Sequence, residues 1–202
     1  MSAERLRLFV AIDLPDTWRH RLTEESARLE AASPEFARWV DASLMHVTLV
    51  FLGSQAASAL PSITSAVDVA AADSIGFSMS LSGLGAFGTP RSVRVVWAAT
   101  EDRPTGALAA VQRRVAGSLR DAGIVFDEAP FRPHVTLARA RKGTTRLQSE
   151  AMHSAVAARA HAIASEPTAC TEVVLIRSEL RPNGPVYTAL HYAPLGSMRQ
   201  KM

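Results

Sequence analysis

His46-Val47-Thr48-Leu49 and His134-Val135-Thr136-Leu137 are the same four residues, 88 positions apart. A repeated tetrapeptide becomes a structural statement when the same offset aligns neighbouring segments that do not share its identity. Leu8-Phe9-Val10-Ala11 falls on Val96-Trp97-Ala98-Ala99, two short apolar runs that read as buried strands. A helical pattern follows each: Trp18, Leu22 and Leu29 share one face of the first, and Leu108, Val111, Val115 and Leu119 share one face of the second. Asp16 is the expected N-cap of the first helix and Thr105 of the second, with Gly123 as the left-handed residue that ends the second. Past each motif comes an Ala-rich helical stretch, Ser58 to Ala72 and Thr145 to Ala164. Each half then closes on a hairpin, Ser80 to Phe87 with Val93 to Ala98, and Val173 to Leu180 with Val186 to Tyr192. Five extra residues have accumulated by that point.

Two copies of strand, helix, strand, helix and hairpin predict an α+β fold: a bilobal, pseudo-two-fold duplication with two mainly antiparallel sheets flanking a central cleft and helices on the outer faces. No linker separates the copies, and the Val93 to Ala98 strand closes one and opens the next. The expectation is therefore one bilobal domain over 1–202, with repeat halves of roughly 5–92 and 93–195, and the two motif strands facing each other across the cleft.

The chain has 202 residues with 48 % apolar content, enough for a substantial core. Its one cysteine, Cys170, rules out an internal disulfide framework and a multi-thiolate zinc site, and fits a reducing compartment. The first apolar run, Leu6 to Leu14, is broken by Arg7 and Asp13 and is too short for a signal-peptide core or a membrane span. A soluble, cytoplasmic protein without a membrane partner is expected. Net charge is +3, and the only lysines are Lys142 and Lys201, so arginine carries nearly all the positive charge. Arginine's planar fork suits phosphate. Genome composition also produces such usage, so the charge supports a phosphate ligand without establishing one.

Side chains alternate along a strand, so His46 and Thr48 share one face while Val47 and Leu49 share the other, and the second copy divides the same way. One face is core and the other is site. Two imidazoles meeting in a cleft supply a general base and a general acid, which histidine alone can do near neutrality at its unperturbed pKa. The hydroxyls of Thr48 and Thr136 beside them can donate to non-bridging phosphate oxygens. A lone strand histidine is more often structural, but two at repeat-equivalent positions, each with Thr two residues on, point to catalysis. His20, His153 and His161, on helical patterns, and His191, near the end of the last strand, read as structural or surface residues. The acidic or thiol ligands of a zinc site do not accompany the motif pair, and neither a phosphate-cradling glycine loop nor a nucleophile elbow is present. No metal or other cofactor is expected.

The doubled His-x-Thr-x motif, with Arg7-Leu8-Phe9-Val10-Ala11-Ile12-Asp13-Leu14-Pro15 near the start, resembles the 2H phosphoesterase superfamily. Within it the chain is similar to the bacterial and archaeal RNA 2',3'-cyclic phosphodiesterases, historically called 2'-5' RNA ligases. Arg38-Trp39-Val40, Phe51-Leu52-Gly53, Pro130-Phe131-Arg132-Pro133 and the ending Ser178-Glu179-Leu180 with Gly184, Tyr187, Pro194 and Leu195 also fit. The resemblance covers essentially the whole chain. It implies hydrolysis of a 2',3'-cyclic phosphate RNA end to a 2'-phosphate, with His46 as proton donor and His134 as proton acceptor, and weak reversible 2'-5' ligation in some members. It also implies substrate contacts from Arg139 to phosphate and from Phe51 to a terminal base. Both lie five residues past their histidine, an odd offset that strict alternation assigns to the core face unless each strand bulges first. Arginine is rarely buried unpaired, so Arg139 is expected to escape the core, whereas Phe51 reads equally as core. An RNA bearing the cyclic terminus is the expected partner of a monomer with no obligatory protein partner. The alternatives are the same chemistry on a small cyclic phosphate nucleotide, and a non-catalytic RNA-binding module. Lysine-rich loops and exposed aromatic pairs would favour the module.

Overall fold

The computed structural model describes residues 4–182 and 184–197. In chain order the elements are β1 (Arg5–Asp13), α1 (Asp16–Ala32), β2 (Ala37–Trp39), β3 (His46–Ala56), α2 (Leu60–Ala72), β4 (Phe77–Thr89) and β5 (Ser92–Arg103). There follow α3 (Ala107–Asp121), β6 (His134–Ala140), α4 (Arg146–Ala158), β7 (Thr168–Cys170), β8 (Glu172–Arg181) and β9 (Gly184–Pro194). Among the described residues, no helix is long and apolar enough to cross a membrane.

The strands pair in the order β7-β4-β5-β6-β3-β1-β8-β9, with β2 added along β6. This is the expected α+β duplication with one refinement: the two sheets are the halves of a single curled sheet. They join at one residue pair, Val47 opposite Val135, where β3 and β6 touch before they diverge. The motif strands are thus antiparallel neighbours at that point rather than opposite walls of a cleft. Each lobe also borrows from the other repeat. β4, from the first repeat, pairs with β5, while β8, from the second, pairs with β1. Helices are exchanged in the same sense: α1 and α4 pack over the lobe containing β4, β5 and β6, and α2 and α3 over the lobe containing β3, β8 and β9.

The apolar periodicities are realised as core. Trp18, Leu22 and Leu29 of α1, and Leu108, Val111, Val115 and Leu119 of α3, are all buried. At Gly123, with φ +73°, α3 ends in a Schellman pattern in which the Gly123 and Ile124 amides return to the carbonyls of Arg120 and Leu119. The starts differ from expectation. Asp16 is the first helical residue after Pro15, not the cap, and helps through the N-terminal dipole instead. Thr105 is not the cap of α3 either: Gly106 takes that position at φ +89°, and the Asp102 carboxylate, at the end of β5, accepts the Leu108 amide at 2.8 Å. α4 stops at Ala158, six residues before the end of the Ala-rich stretch at Ala164, so His161 lies in a turn rather than on a helix. Its start carries a full capping box between Thr145 and Gln148.

Candidate active site

The pair at the seam fixes four side chains at once. Val47 and Val135 are fully buried, so their neighbours turn to the other face. Antiparallel register about that pair sets His46 across from Thr136 and Thr48 across from His134. Diagonal positions in such a ladder have Cβ atoms about 7–8 Å apart, a spacing at which two imidazoles can flank one phosphate.

Both rings are tethered alike. Nδ1 of His46 lies 2.8 Å from the Leu44 carbonyl oxygen, and Nδ1 of His134 lies 2.6 Å from that of Arg132, in each case two residues back. A carbonyl only accepts, so each Nδ1 carries the proton and each Nε2 is left to face another partner. Nε2 of His46 is 3.0 Å from the Thr48 hydroxyl.

The rings also stand against aromatic walls. Phe9 stacks on His46 with centroids 4.7 Å apart, and Tyr187 meets the same ring edge-on at 5.5 Å. Phe87 approaches His134 edge-on at 5.0 Å, with Trp97 at 6.4 Å. Phe9 and Trp97 occupy equivalent positions in the two repeats. Desolvation by these walls pushes both imidazole pKa values below 6.5, and the carbonyl acceptors oppose that shift. Asp13 also favours the charged form of His46, while Arg139 disfavours that of His134.

The odd offset of Phe51 and Arg139 is resolved by a duplicated bulge. β1 pairs Val10 with Val50 and Ala11 with Thr48, so Leu49 is the extra residue. β5 pairs Val96 with Ala138 and Trp97 with Thr136, so Leu137 is extra. After each bulge the alternation flips, and Phe51 and Arg139 emerge on the exposed side. Phe51 is 51 % exposed, which excludes its core reading.

A cleft of about 1050 Å³ gathers Thr48, Phe51, His134 and Arg139 along its walls. His46 adjoins it through Thr48, while Thr136 sits on the site face of β6 outside that lining. Five contributors lie outside the motif residues: Phe9, Trp97, Phe87, Tyr187 and Arg19. The offset already aligned the first two, though only as buried strand residues. Arg19 donates to the carbonyls of Leu14 and Met45, at 3.2 and 3.0 Å, and pairs with Asp13, so it fixes the backbone leading into His46. No spacing rule signals that role. His191 bonds the Asp68 carboxylate at 2.6 Å, and His20 lies within 3.1 Å of Glu24. Both are away from the seam. Among the described residues, no three His, Cys, Asp or Glu side chains gather so as to hold a metal ion.

The sequence model of the 2'-5' RNA ligase superfamily matches residues 14–181. The chain is 31 % identical over 192 residues to the RNA 2',3'-cyclic phosphodiesterase of Geobacillus stearothermophilus, a match covering 95 % of this chain and 58 % of that one. It thus spans little more than half of that relative's length. It is 32 % identical over 201 residues to the RNA 2',3'-cyclic phosphodiesterase of Thermus thermophilus, covering 92 % and 88 % of the two chains. The crystal structure of TT0787 from Thermus thermophilus superposes with a TM-score of 0.78 at 26 % identity, over 96 % of this chain and all of that one.

Proposed function

Because the chain belongs to the 2'-5' RNA ligase superfamily, we propose that it hydrolyses the 2',3'-cyclic phosphate at an RNA end to a 2'-phosphomonoester by two-histidine acid–base catalysis. The observation that carries this reading is the pair of identically tethered imidazoles, each with Nε2 left to work, set diagonally about one strand pair beside two threonine hydroxyls. Such an arrangement suits in-line displacement, where attacking and leaving oxygens lie on opposite sides of phosphorus.

In the proposed step a water oxygen attacks phosphorus as His134 Nε2 takes its proton, and the bond from phosphorus to O3' breaks. His46, protonated at Nε2, delivers that proton to O3', which leaves as the 3'-hydroxyl. Thr48 and Thr136 donate to the non-bridging oxygens, Arg139 balances their charge, and Phe51 supports the terminal base. When a 5'-hydroxyl RNA end replaces water as the attacking group, the same proton transfers form a 2'-5' linkage, which makes weak ligation the companion activity. The protein acts as a monomer within one bilobal domain, and the groups assigned here need no metal.

The test uses an oligonucleotide ending in a 2',3'-cyclic phosphate, incubated with the enzyme in excess EDTA. Full turnover to a product carrying phosphate on O2' is expected. A product with phosphate on O3', or an activity lost to EDTA and restored by a divalent ion, would overturn the mechanism.

A further inference from the structure

The pseudo-two-fold is broken on one side of the seam. In the first repeat the link between α1 and β3 lays β2 along β6, pairing Ala37, Arg38 and Trp39 with Ala140, Arg139 and Ala138. The corresponding link in the second repeat, residues 124–133, forms no strand. Past Val47, β3 therefore has β1 on one side and, among the described residues, no strand on the other. The Gln55 amide bonds the Val125 carbonyl at 2.9 Å and anchors the start of this link to the far end of β3. The space that a counterpart of β2 would fill is the cleft, whose lining runs from Leu49, Val50 and Phe51 across to the 126–132 segment and α3.

Its size and chemistry decide what fits there. At about 1050 Å³ it lies at the upper end of the roughly 300–1,000 Å³ typical of small-molecule sites, with room for more than one nucleotide. Arg94 of β5, Arg113 of α3, Arg132 and Arg139 all line it, and among the described residues none of the four is ion-paired. A fifth, Arg120, is paired with Glu128. Phe51 stands exposed in the lining, with Phe126 and Phe131 half-buried beside it. A bare strand edge alone would suit an added peptide strand. Four unpaired guanidinium groups interleaved with aromatic rings favour instead a phosphodiester backbone with unpaired bases.

We propose that this groove holds the single-stranded RNA on the 5' side of the cyclic phosphate, so that the enzyme is selective for polymer ends over 2',3'-cyclic mononucleotides. The proposal rests on the function given above and names the part of the substrate that function leaves open. Arg94, five positions along β5 from the Ala99 that pairs with His134, and Arg113, on α3 at the groove wall, contact backbone phosphates upstream of the reacting one.

The experiment compares kcat/KM for a 2',3'-cyclic mononucleotide with that for cyclic-phosphate oligonucleotides of two to about six nucleotides, in the wild type, Arg94→Ala and Arg113→Ala. A parallel anisotropy titration uses a 5'-labelled oligonucleotide ending in the 2'-phosphate product, over a range of salt concentrations. Selectivity for the longer substrates of about tenfold or more is expected, and each variant should lose most of it while turning over the mononucleotide as before. Each should also flatten the log–log salt dependence of binding by about 0.7. Equal kcat/KM for mononucleotide and oligonucleotide, with variants that change neither, would overturn the groove and leave the phosphodiesterase intact. Absence of turnover on every substrate would instead overturn the function itself, and the anisotropy series would still decide the groove: product binding unaffected by both variants would refute it.

Discussion

The two imidazoles share a tether and differ in their walls: Phe9 and Tyr187 enclose His46, while Phe87 and Trp97 leave His134 nearer the cleft. Since apolar surroundings lower both pKa values from 6.5, the free enzyme holds both rings neutral near pH 7. The bell-shaped kcat/KM profile should therefore centre on the acid side of pH 6.5, its limbs belonging to the pair rather than to either residue. Bound cyclic phosphate is an anion that favours imidazolium, so the kcat profile should lie at higher pH than that of kcat/KM. A kcat/KM optimum on the alkaline side of pH 6.5 would contradict the lowered imidazole pKa values. The same shifts act on stability. Below the unfolded value of 6.5 the unfolded chain binds protons that the folded chain refuses, so stability from these groups is complete above 6.5 and falls as pH drops towards the lowered folded values. Denaturant titrations at several pH values should show a smaller acid loss in His46→Phe than in the wild type. In turnover, His46→Ala and His134→Ala should each lose about 10²–10⁴-fold in kcat, whereas Thr48→Ala and Thr136→Ala, each missing one phosphate hydrogen bond, should lose about tenfold.

Among the elements, Gly85 carries a constraint that composition conceals. A Cβ there would lie 2.2 Å from the Trp97 ring, which in turn borders His134. Gly85→Ala should cost about 1–3 kcal/mol by overpacking and also lower kcat, read by thermal melts alongside initial rates; a stable variant with normal kcat would separate Trp97 from the site. A second device joins α1 to the turn after α4. Glu25 is buried, with Arg159 on both its carboxylate oxygens, one contact at 2.7 Å, and the pairing holds its pKa below the usual carboxylate range. Arg159→Ala leaves that buried carboxylate only the longer contact to Arg28, at 3.4 Å, and should cost about 1–3 kcal/mol, while Glu25→Gln should cost less because Arg159 is partly exposed and can be hydrated. Equal losses in urea titrations would refute this asymmetry. Much at this level was legible in the sequence: the repeat located both histidines, and the misfit of Phe51 and Arg139 to strict alternation anticipated the bulges at Leu49 and Leu137. The caps of α1 and α3 were not: Pro15 and Gly106 hold those positions, and the Leu108 amide is met by Asp102 six residues back, outside the usual spacing of a side-chain cap. The β4–β5 hairpin was legible, but the pairing of β8 with β1 was hidden. Alternating apolar residues specify a buried face but not the neighbour that pairs with it.

For the whole molecule, exchange makes the repeats mutually dependent. The lobe built on β1 and β3 is completed by β8 and β9, and α2 of the first repeat packs on α3 of the second. Fragments 1–91 and 92–202, divided in the turn between β4 and β5, should each be poorly folded alone and should reconstitute turnover when expressed together. Either fragment folding cooperatively by itself would show that the lobes are separable after all. The pairing of Leu8 with Arg177 also ties two strands 169 residues apart along the chain. On the ribosome, which emits the chain from the N-terminus, β1 must wait until β8 has emerged with one hydrogen-bonding edge and the Phe9 side uncovered, while β3 can already occupy the other edge. A long-range closure of this kind is slow and leaves an unpaired strand exposed to foreign chains. Nascent molecules stalled before residue 172 should therefore be trapped by holdase chaperones or aggregate, and release of the β8–β9 hairpin is the event that commits the molecule to its native state.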